Sequence, residues 1–97
     1  MYASVTTAQV QPGKFDEYLK MLTEQITPGV QQLPGLVDFY LLTNREAEKG
    51  VTIAIYASEA DAVATQTSGK YQELVAKIAH LLVMETVKRE GYAVSKA

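Results

Sequence analysis

The sequence contains neither cysteine nor tryptophan. Without thiols it can hold no disulfide, thiolate nucleophile or Cys-ligated metal, and cysteine spacing says nothing of its redox compartment. A single histidine, His80, stands without an HxH or HExxH partner or an acidic loop, so a metal site has no recognisable ligand set. Glycine-rich phosphate loops and the GxSxG nucleophile elbow are also missing. The most apolar stretch, Ile78 to Met84, is far short of the roughly 20 residues a bilayer-spanning helix needs, and no charged-then-apolar leader opens the chain. A cytoplasmic protein without a membrane partner is therefore the expectation. Nine Lys and Arg against eleven Asp and Glu give a net charge of -2, scattered without the basic stripe that nucleic acid requires.

What is present is one domain's worth of globular chain. With 97 residues there is no room for a second core, so residues 1–97 are expected to form a single domain. All three prolines are followed by glycine, at Pro12-Gly13, Pro28-Gly29 and Pro34-Gly35. Proline presets φ and glycine accepts positive φ, so each pair reads as a turn. Tyr2 to Val10, rich in Val and Thr, reads as a strand. Phe15, Leu19, Leu22 and Ile26 recur at helical spacing, and Pro28 should end or kink that helix. Leu36 to Thr43 and Val51 to Ala57 read as a hairpin around the charged loop NREAEKG. Ser58 and Asp61 approximate a capping box that opens a second helical region, broken near Thr67 to Gly69 and resumed with Tyr71, Leu74, Val75, Ile78 and Leu82. Val83 to about Val94 closes the chain as a strand in which Gly91 suggests a bulge.

The order is βαββαβ, an α+β ferredoxin-like fold with a four-stranded antiparallel sheet and both helices on one face. The other face should then be wet, yet Val51, Ile53 and Ile55 alternate against Thr52, Ala54 and Tyr56, leaving apolar residues on both sides. A homodimer through the open sheet face is the simplest cover for the second apolar surface.

His80 lies nine positions from Tyr71, about half a turn away from the apolar stripe, and should point to solvent or to a partner chain. Tyrosine supplies six of the eight aromatic residues. Tyr56 and Tyr40 on the sheet and Tyr71 on the second helix fall where an interior is expected. A phenol joins an apolar body to a hydrogen-bonding tip, which suits a pocket for an aromatic or enolic small molecule, although a buried Tyr is also ordinary core material.

The segments QPGKFDEYLKML, ITPGVQQLPGLVDFYLLT and IYASEADAVATQTSGKYQELVAKIAHLL resemble the antibiotic biosynthesis monooxygenase-type domain of the dimeric α+β barrel superfamily, over nearly the whole chain. The resemblance implies a homodimer whose sheets face each other as a barrel, with a ligand cavity between sheet and helices in each monomer. It also implies cofactor-independent oxygenation of a small aromatic, quinol or polyketide-like substrate, with no metal or flavin. Tyr56, Tyr71 and Tyr40 would line the cavity and bind or deprotonate the substrate. Many members carry Trp and His where this chain has Tyr56 and about Thr65, and the haem-degrading branch depends on a Trp that is missing here. No catalytic set therefore carries over residue by residue. A non-oxygenase dimer that binds or isomerises a small molecule in the same cavity is the alternative.

Overall fold

The computed structural model describes residues 1–96; Ala97, the last position of the expected domain, lies outside the described residues. Four strands, β1 (Tyr2–Val10), β2 (Leu36–Asn44), β3 (Lys49–Tyr56) and β4 (Leu82–Ala93), form one antiparallel sheet in the order β2-β3-β1-β4. The helical segments are α1 (Phe15–Met21), a π turn (Leu22–Ile26), α2 (Thr27–Val30), α3 (Glu59–Thr67) and α4 (Lys70–Ala76), with a short 3-10 turn at Ala79–Leu81. This is the ferredoxin-like α+β arrangement that the order of apolar periods predicts.

The local chemistry explains the boundaries. At Pro28 the chain stays helical by widening ahead of the proline instead of stopping, and Pro28-Gly29, expected as a turn, lies inside α2. The Thr27 amide and its side-chain hydroxyl both bond the Leu22 carbonyl, the hydroxyl at 2.8 Å, which absorbs an acceptor that the wide turn exposes. Ser58 caps α3, its hydroxyl accepting from the Asp61 amide at 3.2 Å and donating to the Asp61 carboxylate at 3.0 Å. Gly69, at φ 83°, supplies the left-handed step that separates α3 from α4.

Two irregularities set the faces of the sheet. Leu36 pairs with Tyr56 but Asp38 pairs with the adjacent Ile55, so Val37 is an extra residue and alternation resets behind it. The β1–β4 register shifts between Thr7 and Gln9, which face Lys88 and Val83. Thr86 bridges the extra residues, its hydroxyl accepting from the Gln9 amide at 3.0 Å and donating to the Val83 carbonyl at 2.6 Å. The β4 bulge is thus here and not at Gly91, where the sequence suggested it. Gly91 instead makes room for the Tyr2 hydroxyl, which occupies the space a Cβ would take.

The core lies between the sheet and α1, the π turn, α2 and α4. Val10, Phe15, Tyr18, Leu22, Ile26 and Leu81 are all buried there. On the other face Tyr40, Leu42 and Tyr92 are exposed, and Val51, Ile53 and Ile55 between them are half-buried; Val37 and Met84, at the two irregularities, are exposed as well.

Candidate functional site

Inward-facing positions of all four strands meet both helical regions at a cavity that is apolar at one end and polar at the other. The apolar chamber, about 70 Å³, is walled by Tyr18, Leu22, Ile26 and Val30 from the first helical region and by Leu74, Val75 and Ile78 around α4; Phe39, Thr52 and Val87 form its floor. It is about half the size of a cavity known to admit benzene, ~150 Å³. A neck of about 20 Å³ continues from it past Thr6 and Tyr71 to Ser4, Tyr56 and Arg89. Beyond Arg89 lies a surface recess of about 160 Å³ bordered by Tyr2, Gln66 and Glu90.

The polar end is assembled by strand alternation. Ser4 and Thr6 occupy successive inward positions of β1, Arg89 is inward on β4, and Tyr56 ends β3. Tyr71 reaches them from the first turn of α4, its hydroxyl 3.0 Å from Thr6 Oγ1. The Arg89 guanidinium stacks over the Tyr71 ring, 4.0 Å from its centroid, while Nε donates to Ser4 Oγ at 2.8 Å. Among the described residues the side-chain ion pairs are Arg45–Asp16 at 2.7 Å and His80–Glu17 at 3.6 Å, both at the surface; Arg89 belongs to neither. A half-buried guanidinium therefore stands in the site without a carboxylate.

Tyr56 is 1% exposed. Burial holds its phenol above the ordinary tyrosine pKa; the nearby Thr65 hydroxyl and the Arg89 charge pull the other way, and Tyr71 adds a smaller push upward. Thr65 Oγ1 is itself buried and lies outside hydrogen-bond geometry with any partner. Tyr18, against the apolar chamber, is likewise raised by burial. At neutral pH these phenols are donors and not bases.

Of the three tyrosines proposed from sequence, the fold brings Tyr56 and Tyr71 together at the neck and sends Tyr40 elsewhere. Tyr40 pairs with Ile53 on the outer face of β2, where it is 47% exposed and its hydroxyl donates to the Asp38 carboxylate at 2.5 Å. That bond, with the carboxylate charge, raises its pKa. The place expected for Tyr40 in the cavity wall is taken by Phe39. His80 is exposed and faces Glu17, away from the cavity. Sequence reasoning missed Arg89, Ser4 and Thr6; the available signal is the alternation Val87, Arg89, Gly91, which puts a lone arginine in phase with an apolar neighbour. No group of three or more His, Cys, Asp or Glu side chains converges among the described residues.

A family model for antibiotic biosynthesis monooxygenases matches residues 1–77. The chain belongs to the antibiotic biosynthesis monooxygenase family. Several solved structures share its fold. SnoaB, a cofactor-independent oxygenase from Streptomyces nogalater, superposes with a TM-score of 0.80 at 15% identity, covering 99% of this chain and 94% of its own. Rv0793 from Mycobacterium tuberculosis gives 0.75 at 19% identity, over 99% and 96%. A conserved protein from Methanosarcina mazei Go1 gives 0.78 at 17% identity, over 97% and 92%. No curated protein shows a significant sequence match. The match ends within the turn after α4, so β4 and its Arg89 lie outside the matched residues.

Proposed function

We propose that this chain is a cofactor-independent monooxygenase of a small aromatic, quinol or polyketide-like substrate. The observation that carries the reading is the unpaired Arg89 beside Tyr71 and Tyr56 at the polar end of an otherwise apolar cavity. An electron-rich phenol or enol reduces oxygen as its anion, and such an anion is stabilised by fixed donors in a site of low dielectric. Arg89 supplies a full charge, Tyr56 and Tyr71 supply hydroxyls, and the apolar walls exclude water from the substrate's body. For an anthrone-type methylene the balance closes without an external reductant. The CH2 carbon becomes C=O with one oxygen atom of O2, and the other oxygen leaves as water carrying both methylene hydrogens. The substrate's own electrons reduce the oxygen. We also propose that the chain works as a homodimer formed through the exposed sheet face, where Tyr40, Leu42 and Tyr92 lie open.

The test is oxygen uptake with a panel of one- to three-ring quinols and anthrones, without metal, flavin or nicotinamide. One O2 consumed per methylene oxidised is the expected result. No uptake across the panel overturns the oxygenase reading. The second reading, a dimer that binds or isomerises a small molecule, is favoured by one observation: among the described residues, no carboxylate or imidazole lines the chamber or the neck. Saturable binding without oxygen consumption selects it.

A further inference from the structure

The cavity has a charge but no base. Ser4, Thr6, Tyr56, Tyr71 and Arg89 form its polar end, and the other lining residues of chamber and neck are apolar side chains, Thr52, Gly50 and the buried Tyr18. The nearest acidic side chain on the same strand, Glu90, borders only the outer recess and accepts the Tyr92 hydroxyl at 2.9 Å. Gln66, the α3 side chain at that recess, is neutral. A guanidinium taken partly out of water without a carboxylate is unfavourable unless an anion completes the site, and Arg presents a planar fork that suits delocalised oxyanions.

We infer that the site selects its ligand as a preformed planar oxyanion, an acidic phenol or enol already ionised at ambient pH, with the oxyanion at Arg89 and a ring-sized apolar body in the chamber. The inference deepens the proposed function and rests on its placement of the site, but it concerns which protonation state binds. It moves the proton-removing step out of the protein: the enzyme lowers the substrate's own pKa by holding the anion and has no side chain that must accept the proton. At about 70 Å³ the chamber is smaller than a benzene-binding cavity, so even a one-ring body enters only as the walls part. Of the groups that face Arg89, Ser4 and Thr6 from β1 carry no charge, Tyr56 from β3 is a phenol whose pKa burial raises, and Tyr71 from α4 places its hydroxyl 3.0 Å from Thr6 Oγ1.

The probe is para-nitrophenol, which ionises near neutral pH and whose yellow band reports the anion directly. Para-nitroanisole is its neutral mimic and para-nitrobenzoate a carboxylate on the same ring. On the wild-type protein, bound nitrophenol should ionise about one pH unit lower than free nitrophenol, equivalent to a roughly tenfold preference for the anion. Nitroanisole should bind at least tenfold more weakly, and nitrobenzoate more weakly than the phenolate. Arg89→Gln should abolish the pKa shift while leaving the weak nitroanisole binding in place; that retained binding shows the cavity is still folded, and Arg89→Lys should recover part of the shift. Equal affinity for nitrophenolate and nitroanisole overturns the inference, as does an unshifted or raised nitrophenol pKa, tighter binding of nitrobenzoate, or no binding of any of the three. If the anion preference is found but the quinol and anthrone panel shows no oxygen uptake, the oxygenase reading alone fails.

Discussion

Gly50 offers the sharpest check of how the cavity wall is built. It sits in β3 beneath Tyr18, and a Cβ added there would overlap the Tyr18 hydroxyl and lie 2.7 Å from Cζ and 2.9 Å from Cε2. Tyr18 is 3% exposed and its ring packs against Phe15 with centroids 6.1 Å apart, so the phenol can yield only by moving into the chamber it lines. Gly50 has no positive φ, so its backbone tolerates alanine and the substitution brings a modest gain of ~0.4–1 kcal/mol by stiffening the unfolded chain. Overpacking costs about 1–3 kcal/mol. The net expectation for Gly50→Ala is a loss of about 1–2 kcal/mol, which in a domain this size lowers Tm by roughly 5–15 °C. Thermal and urea unfolding of Gly50→Ala, Tyr18→Phe and the double variant measure it. Removing the hydroxyl relieves the worst overlap but leaves the ring, so Tyr18→Phe should restore part of the loss, with a coupling of at least ~0.5 kcal/mol. A Gly50→Ala protein as stable as the parent, or strictly additive effects in the double variant, would refute the packing argument.

Thr65→Val removes a buried hydroxyl that has no partner, and should leave stability unchanged or raise it by up to ~1–2 kcal/mol in urea unfolding; a clear loss would mean the hydroxyl is satisfied after all. The alkaline limb of stability tests the buried phenols. Tyr18 and Tyr56 have folded pKa values raised above 10.0, so the native state holds protons that the unfolded state releases. Their contribution is fully present below pH 10.0 and is lost as pH rises from there through the raised folded values. Tyr56→Phe should flatten that decline, and a decline identical to the parent's excludes Tyr56 as its source. At the open sheet face, Leu42→Glu should convert a species of twice the chain mass into one of single mass by light scattering; an unchanged mass places the dimer contact elsewhere, and a parent of single mass refutes the dimer.

Much of this architecture is legible in the chain because its signals are local. The Pro12-Gly13 and Pro34-Gly35 turns, the Ser58 cap and two helical periods lie within a few residues of the elements they define, and Tyr71 follows from its own helix phase. Tyr40 shows where local reading ends. Leu36 and Tyr40 share parity along the sequence and would share a face in a regular strand. The extra residue at Val37 separates them, sending Leu36 inward and Tyr40 outward. That bulge is a property of pairing with β3, and nothing in LVDFYLL announces it. Arg89 was hidden for the same reason, since the bulge bridged by Thr86 resets alternation in β4 before it is reached. The polar end of the cavity is thus written in pairings between strands distant in sequence.

The wide turn before Pro28 has a geometric consequence. Four residues of α-helix overshoot a full circle by roughly 40°, so side chains spaced by four drift steadily around the axis. Tyr18, Leu22, Ile26 and Val30 are spaced by four, yet all reach the same chamber. Between Leu22 and Ile26 the turn is π and rotates less per residue, which takes back drift accumulated on either side. The segment behaves as a ruler whose one stretched division keeps its marks in line. A single-residue deletion within it would put Ile26 and Val30 out of line with Tyr18 and Leu22 without changing any residue that touches the chamber.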